Sequence, residues 1–176
     1  SDDGVCAIIE IANTAPESFS KLITMCIAHN IQEGFLKLIT SPVNMYCTLH
    51  KLFKVEPERL LPFLESLTAE QKQIFIESLF IHSSKTGRYA WFMAIRDAEK
   101  FLIRYIQHHM TAEQKKWLVE KLFSYINEKD RGISFWTGTA IYYAEELLSF
   151  LLDIVVAENM LTRLISSLSK IGRAHV

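Results

Sequence analysis

Two Cys-x-x-His pairs, Cys26-Ile27-Ala28-His29 and Cys47-Thr48-Leu49-His50, are the first residues here whose types and spacing could do chemistry. Positions three apart share one side of a helix, so each pair could offer a thiolate and an imidazole to a tetrahedral zinc ion. Zinc modules usually set one ligand pair in a tight knuckle beside Gly or Pro, and neither pair sits in one. Both lie in periodic apolar runs, where cysteine is an ordinary small core residue. The reading taken is therefore buried thiols, with no metal and no cofactor.

The other polar residues have similarly plain readings. His82, His108 and His109 fall at or near expected helix ends, where a cation complements exposed carbonyls. A general base among them would need an acid or nucleophile as partner, and none stands nearby in sequence. Of the carboxylates Glu10, Glu17, Glu33, Asp97, Glu99, Glu145, Glu146 and Asp153, most read as solvated helix faces. Asp153 differs, because it interrupts Leu151-Leu152-Asp153-Ile154-Val155-Val156 and there must find a partner or water. The expectation is a structural salt bridge to Arg163 or to an arginine of a preceding repeat. Lys85-Thr86-Gly87-Arg88 and Lys129-Asp130-Arg131-Gly132 are basic loops ahead of long helices, but with one glycine each they read as solvated connections. No catalytic set emerges, so an all-helical enzyme with a Glu/His cleft stays the alternative.

Aromatic enrichment beside those loops is the stronger signal. Arg88-Tyr89-Ala90-Trp91-Phe92 corresponds to Ile133-Ser134-Phe135-Trp136 further on. Tyr, Trp and Arg dominate protein–protein hot spots because they bury much area and keep a polar handle. The candidate partner-binding set is Arg88, Tyr89, Trp91, Arg96, Arg131 and Trp136. Its competing reading is that Trp91, Phe92, Phe135 and Trp136 pack between repeats. Adjacent bulky residues cannot all face one way, which leaves one of each pair free to reach solvent.

These residues must be positioned by helices. Leu67-Thr68-Ala69-Glu70-Gln71 and Met110-Thr111-Ala112-Glu113-Gln114 both read as an apolar staple, an N-cap threonine and a glutamine at the third helical position. A polar linker follows each. Then Ala98-Glu99-Lys100-Phe101-Leu102 matches Ala144-Glu145-Glu146-Leu147-Leu148. This is an internal helical repeat, with units at 57–110 and 111–171. A fainter unit at 16–56 rests on Pro16-Glu17-Ser18-Phe19 resembling Pro57-Glu58-Arg59-Leu60. Helices are expected near 5–13, 16–29, 31–40, 42–54, 57–66, 69–82, 88–109, 112–127, 134–157 and 159–171. The expected fold is all-α, one domain over 1–176, of stacked antiparallel helix hairpins. It would be an irregular array whose architecture resembles HEAT or armadillo stacks, or a compact helical bundle.

Composition fits that expectation. The chain is 49% hydrophobic and 22% charged, with eleven Phe but only six Gly and four Pro, too few turn formers for a β-rich fold. The net charge of −1 is spread evenly and makes no basic stripe, so a nucleic-acid partner is not expected. The greasiest run, Leu147 to Ala157, is too short and too acidic to span a bilayer. The opening SDDGVCAII has no basic region of a signal peptide, and three cysteines suit a reducing compartment. A soluble, cytoplasmic protein is expected, in its own cell or in a host cytosol if it is a bacterial effector. The start without Met suggests a piece of something larger. The functional expectation is a protein–protein interaction or scaffolding module with an exposed aromatic and arginine surface; a purely structural spacer is the further alternative.

Overall fold

The computed structural model describes residues 2–41, 48–49, 52–54, 57–81, 89–124, 134–141 and 144–166, with the side chains of 2–6, 138, 140 and 141 set aside. It is an all-α, multi-helix bundle with no strand among the described residues. The chain divides into two compact units, Ser1–His109 and Met110–Val176.

The first unit runs α1 (Asp2–Thr14), α2 (Pro16–Ala28) and α3 (Gln32–Ile39), with helical turns at 48–49 and 52–54. A 3₁₀ turn over Pro57–Leu60 then leads into α4 (Leu61–Glu65), followed by α5 (Ala69–Ser78), α6 (Ala90–Asp97) and α7 (Glu99–His109). The second unit holds α8 (Ala112–Leu122), α9 (Phe135–Ile141), α10 (Glu145–Ala157) and a helical segment at 161–166.

Each capped helix is followed by two further helices where one long helix was expected. The stretches 88–109 and 134–157, expected as continuous helices, are each broken at an alanine that the repeat match had aligned. Ala98 (φ −144°, ψ 37°) closes α6 with its amide on the Ala94 carbonyl, and its own carbonyl accepts from Leu102 to open α7. Ala144 (φ −78°, ψ 66°) opens α10 by accepting from Leu148. Ala15 (φ −140°, ψ 66°) makes the same hinge between α1 and α2. An acidic residue follows each hinge within two positions (Glu17, Glu99, Glu145), where the positive end of the new helix favours it. Ala98 and Ala144 are both buried, so the bend sits inside the core.

Both expected capping boxes form. The Thr68 hydroxyl accepts from the Gln71 amide while the Gln71 side chain accepts from the Thr68 amide, and Thr111 with Gln114 repeats the arrangement. Each box satisfies two backbone donors that would otherwise lack a partner. The far ends of these helices are tied alike. The Trp91 amide donates to the Leu79 carbonyl at 2.8 Å, and the Phe135 amide donates to the Ser124 carbonyl at 3.2 Å.

Packing in the first unit sets equivalent helices side by side, α2 against α4, α4 against α7 and α3 against α5. Ion pairs follow the same period. Arg59 reaches Glu17 at 3.2 Å and Ser20 at 2.7 Å, and Arg104 reaches Glu58 at 2.7 Å. In the second unit Arg163 reaches Glu120 at 3.1 Å, its guanidinium 5.9 Å from the Phe123 ring centre. The sequence separations are 42, 46 and 43 residues, each close to one repeat. These pairs are largely solvent-exposed and contribute little energy; they mark register.

The abundance of phenylalanine is a core property. In the first unit Phe35 meets Phe63 edge-on at 4.8 Å, Phe53 meets Phe101 at 5.9 Å, and Phe75 meets Tyr105 at 5.6 Å, all buried. The edge-to-face pairs Phe35–Phe63 and Phe75–Tyr105 add to the hydrophobic gain from their area. The second unit closes over Leu118, Leu122, Phe135, Trp136, Leu147, Leu151 and Val155.

Candidate functional site

Trp91 and Trp136 lie in the interior, which corrects the expectation that these indoles reach solvent. Trp91 is 0% exposed and stacks on Phe80 with centroids 4.9 Å apart; Trp136 is 6% exposed and lies 6.1 Å from Phe123. Phe80 and Phe123 occupy matching places just after the capped helices, so each repeat locks the end of one helix to the start of the next with a ring pair. Of the pair 91–92, Phe92 is the partly exposed member, edge-on to a partly exposed Tyr89 at 6.2 Å. Of the pair 135–136 neither is exposed. Arg96 is exposed and engages Asp97 through Nε and Nη2 at 2.9 and 2.8 Å. Arg88 and Arg131 lie outside the described residues. Of the candidate set, then, Trp91 and Trp136 are buried in their own units, Tyr89 is partly exposed and Arg96 is exposed.

The remaining sequence candidates scatter as well. Cys26 is buried, and burial pushes its thiol pKa up, away from the thiolate that binds metals or attacks carbon. His29 is exposed, one residue past the end of α2. The side chain of Cys6 is not among those described, and Cys47, His50, His82 and the two basic loops lie outside the described residues. Among the described residues no three His, Cys, Asp or Glu side chains gather as metal ligands would. His108 and His109 end α7, as expected of residues that complement its last carbonyls. His109 Nε2 stands 3.6 Å from Glu65, too far for a firm hydrogen bond.

Asp153 also departs from expectation. It is exposed, and among the described residues no cation pairs with it, because Arg163 is engaged by Glu120. The helical phase explains this. Leu147, Leu151 and Val155, four apart, form the buried stripe of α10, which turns Asp153 outward together with Leu152 and Val156.

That outward face is the feature sequence reading missed. Among the described residues of the second unit, the large exposed apolar side chains belong to one hairpin: Leu152 and Val156 on α10 (39% and 59% exposed), Leu161 and Ile165 on the segment after it (48% and 59%). Leu152/Val156 and Leu161/Ile165 are each one turn apart. The signal was present in the run Leu147 to Ala157, whose apolar residues are too many for one helical stripe to bury. In the first unit Met25, Ile31, Ile74 and Ile81 are exposed, from three separate stretches of chain.

No helix among the described residues is long and apolar enough to cross a membrane. The chain matches no protein-family model, and neither a curated protein nor a solved structure matches it.

Proposed function

We propose that this chain is a protein–protein interaction or scaffolding module working in the cytoplasm, with the helical repeats as frame and the exposed apolar side chains as contacts. One observation carries the reading. In the second unit Leu118, Leu122, Leu147, Leu151 and Val155 are buried, yet Leu152, Val156, Leu161 and Ile165 remain exposed on consecutive helical segments. Burying a side chain of this kind against a partner contributes about 1.5–3 kcal/mol, so four of them supply a large part of a specific interface. Trp136 supports the second unit by fixing the junction between α8 and α9, and Trp91 does the same between α5 and α6 of the first unit. The partly exposed Tyr89 and Arg96, with Arg88 and Arg131, are second-rank contacts.

Affinity capture from cell extract tests this with wild type against a Val156→Glu, Ile165→Glu double variant. The module reading expects the variant to keep its helical circular dichroism and lose the captured protein. Equal recovery by a folded double variant would remove the hairpin from the interface.

A further inference from the structure

From the outward face of α10 we infer a partner of definite chemistry: a basic amphipathic helix, whose apolar stripe covers Leu152 and Val156 and whose lysines or arginines meet Glu145, Glu146 and Asp153. The inference rests on the interaction reading above and adds what the partner must look like.

The face is fixed, not frayed. α10 ends in a left-handed asparagine, Asn159 at φ 56°, and the Met160 amide closes the turn on the Val155 carbonyl at 2.8 Å. Met160 is buried, which pins the following segment. Leu152 and Val156 are thus held outward by a defined helix end.

Charge selects the occupant. The stretch 145–158 contains Glu145, Glu146, Asp153 and Glu158 and no lysine or arginine. Glu145, Glu146 and Asp153 line an open depression with Ser149 and Phe150 along the outward side of the helix. Among the described residues none of these three carboxylates pairs with a cation, and Arg163, the base nearest to Asp153 in sequence, is held by Glu120. An apolar stripe edged by carboxylates that pair with no cation among the described residues disfavours anionic lipid, nucleic acid and another acidic surface. It is complementary to a helix bearing leucines at three- and four-residue spacing beside cationic residues.

The test uses the full chain and two labelled synthetic helices of one apolar pattern, one with lysine and one with glutamate at every polar position. Fluorescence anisotropy should show the lysine helix binding, more weakly as salt rises, and the glutamate helix not binding. Val156→Asp should abolish binding. Glu146→Lys with Asp153→Lys should weaken it by roughly tenfold or more, whereas Glu10→Lys with Glu77→Lys, an equal change in net charge elsewhere, should leave it within about twofold. Glu146→Gln with Asp153→Asn, which spares the helix start a positive charge, should fall between.

Equal weakening by the two charge-reversed pairs, or equal binding of the two helices, would overturn the inference. So would cosedimentation with phosphatidylserine vesicles, or a self-association that Val156→Asp abolishes, since either assigns the face to another occupant. If the lysine helix fails to bind while capture from extract still depends on Val156 and Ile165, the partner chemistry falls and the module stands. If capture is also insensitive, both fall.

Discussion

Phe80 and Trp91 lie nearly parallel, their planes 23° apart and their centroids separated by 4.9 Å, at the point where α5 ends and α6 begins. Phe123 and Trp136 hold the corresponding relation between α8 and α9, at 6.1 Å and 34°. A backbone hydrogen bond accompanies each ring pair, from Trp91 to Leu79 and from Phe135 to Ser124. The junction between the capped helix and the short helix is therefore a recurring structural device, and the tryptophan is its largest part.

Truncating either indole should destabilise its own unit. Trp91→Ala leaves a cavity beside Phe80 in a fully packed site, and a loss of about 3–5 kcal/mol is expected. Trp136→Ala, at a slightly more open site with a looser ring contact, should lose less. Denaturant unfolding of both variants, followed by tryptophan fluorescence and circular dichroism, checks the ranking. A Trp91→Ala protein with an unchanged unfolding midpoint would mean the ring pair does not hold the junction.

The two capping boxes make a second, smaller prediction. Thr68→Ala or Thr111→Ala removes the acceptor for the amide of Gln71 or Gln114 and should cost about 1 kcal/mol each. Replacement by serine or aspartate should restore most of that. Gln114 is buried and Gln71 is not, so Gln114→Ala should be costlier than Gln71→Ala because it also removes packing. Urea midpoints of the four alanine variants and the four rescue variants test this, and equal values for wild type and Thr111→Ala would contradict it.

These devices also explain which parts of the fold were readable in the sequence. Capping boxes are local, spelled by adjacent residues, and both were visible. The all-α class followed from periodicity and the scarcity of turn formers. The hinges at Ala98 and Ala144 were hidden because alanine is the best helix former, and nothing local marks it as a break. The alignment of Ala98-Glu99 with Ala144-Glu145 does not give it away either, since Ala69-Glu70 and Ala112-Glu113 carry the same pair inside unbroken helices. The aromatic residues carried a real signal that was assigned to the wrong side: enrichment in Trp and Phe beside a loop fits a hot spot and a buried joint equally, and tertiary packing decides. The exposed face of α10 was masked by its overall hydrophobicity, which conceals that Leu147, Leu151 and Val155 alone account for the buried stripe. Asp153 was puzzling for the same reason. Its neighbours in sequence are apolar, but Leu152 beside it faces solvent too.

Tyr105 supports the last prediction. Its ring is wholly buried between Phe75, edge-on at 5.6 Å, and Phe101, nearly parallel at 6.3 Å, with the His109 ring 5.9 Å away. Its hydroxyl is buried and has no hydrogen-bond partner among the described residues. A hydroxyl in that state carries a desolvation cost of about 1–3 kcal/mol with no return. Tyr105→Phe keeps the ring contacts and removes the cost, so the variant should unfold at higher urea by an amount worth about 1 kcal/mol. Burial also pushes the Tyr105 pKa well above the usual tyrosine value. Because the folded pKa exceeds the unfolded one, folding favours the neutral phenol. That stabilisation is complete below about pH 10 and is lost as pH rises from there towards the folded value. Wild type should therefore lose stability above about pH 10 more steeply than Tyr105→Phe, and the two urea midpoints should diverge with pH. A Tyr105→Phe variant less stable than wild type at neutral pH would show instead that the hydroxyl is satisfied, by a buried water or by a rotated His109.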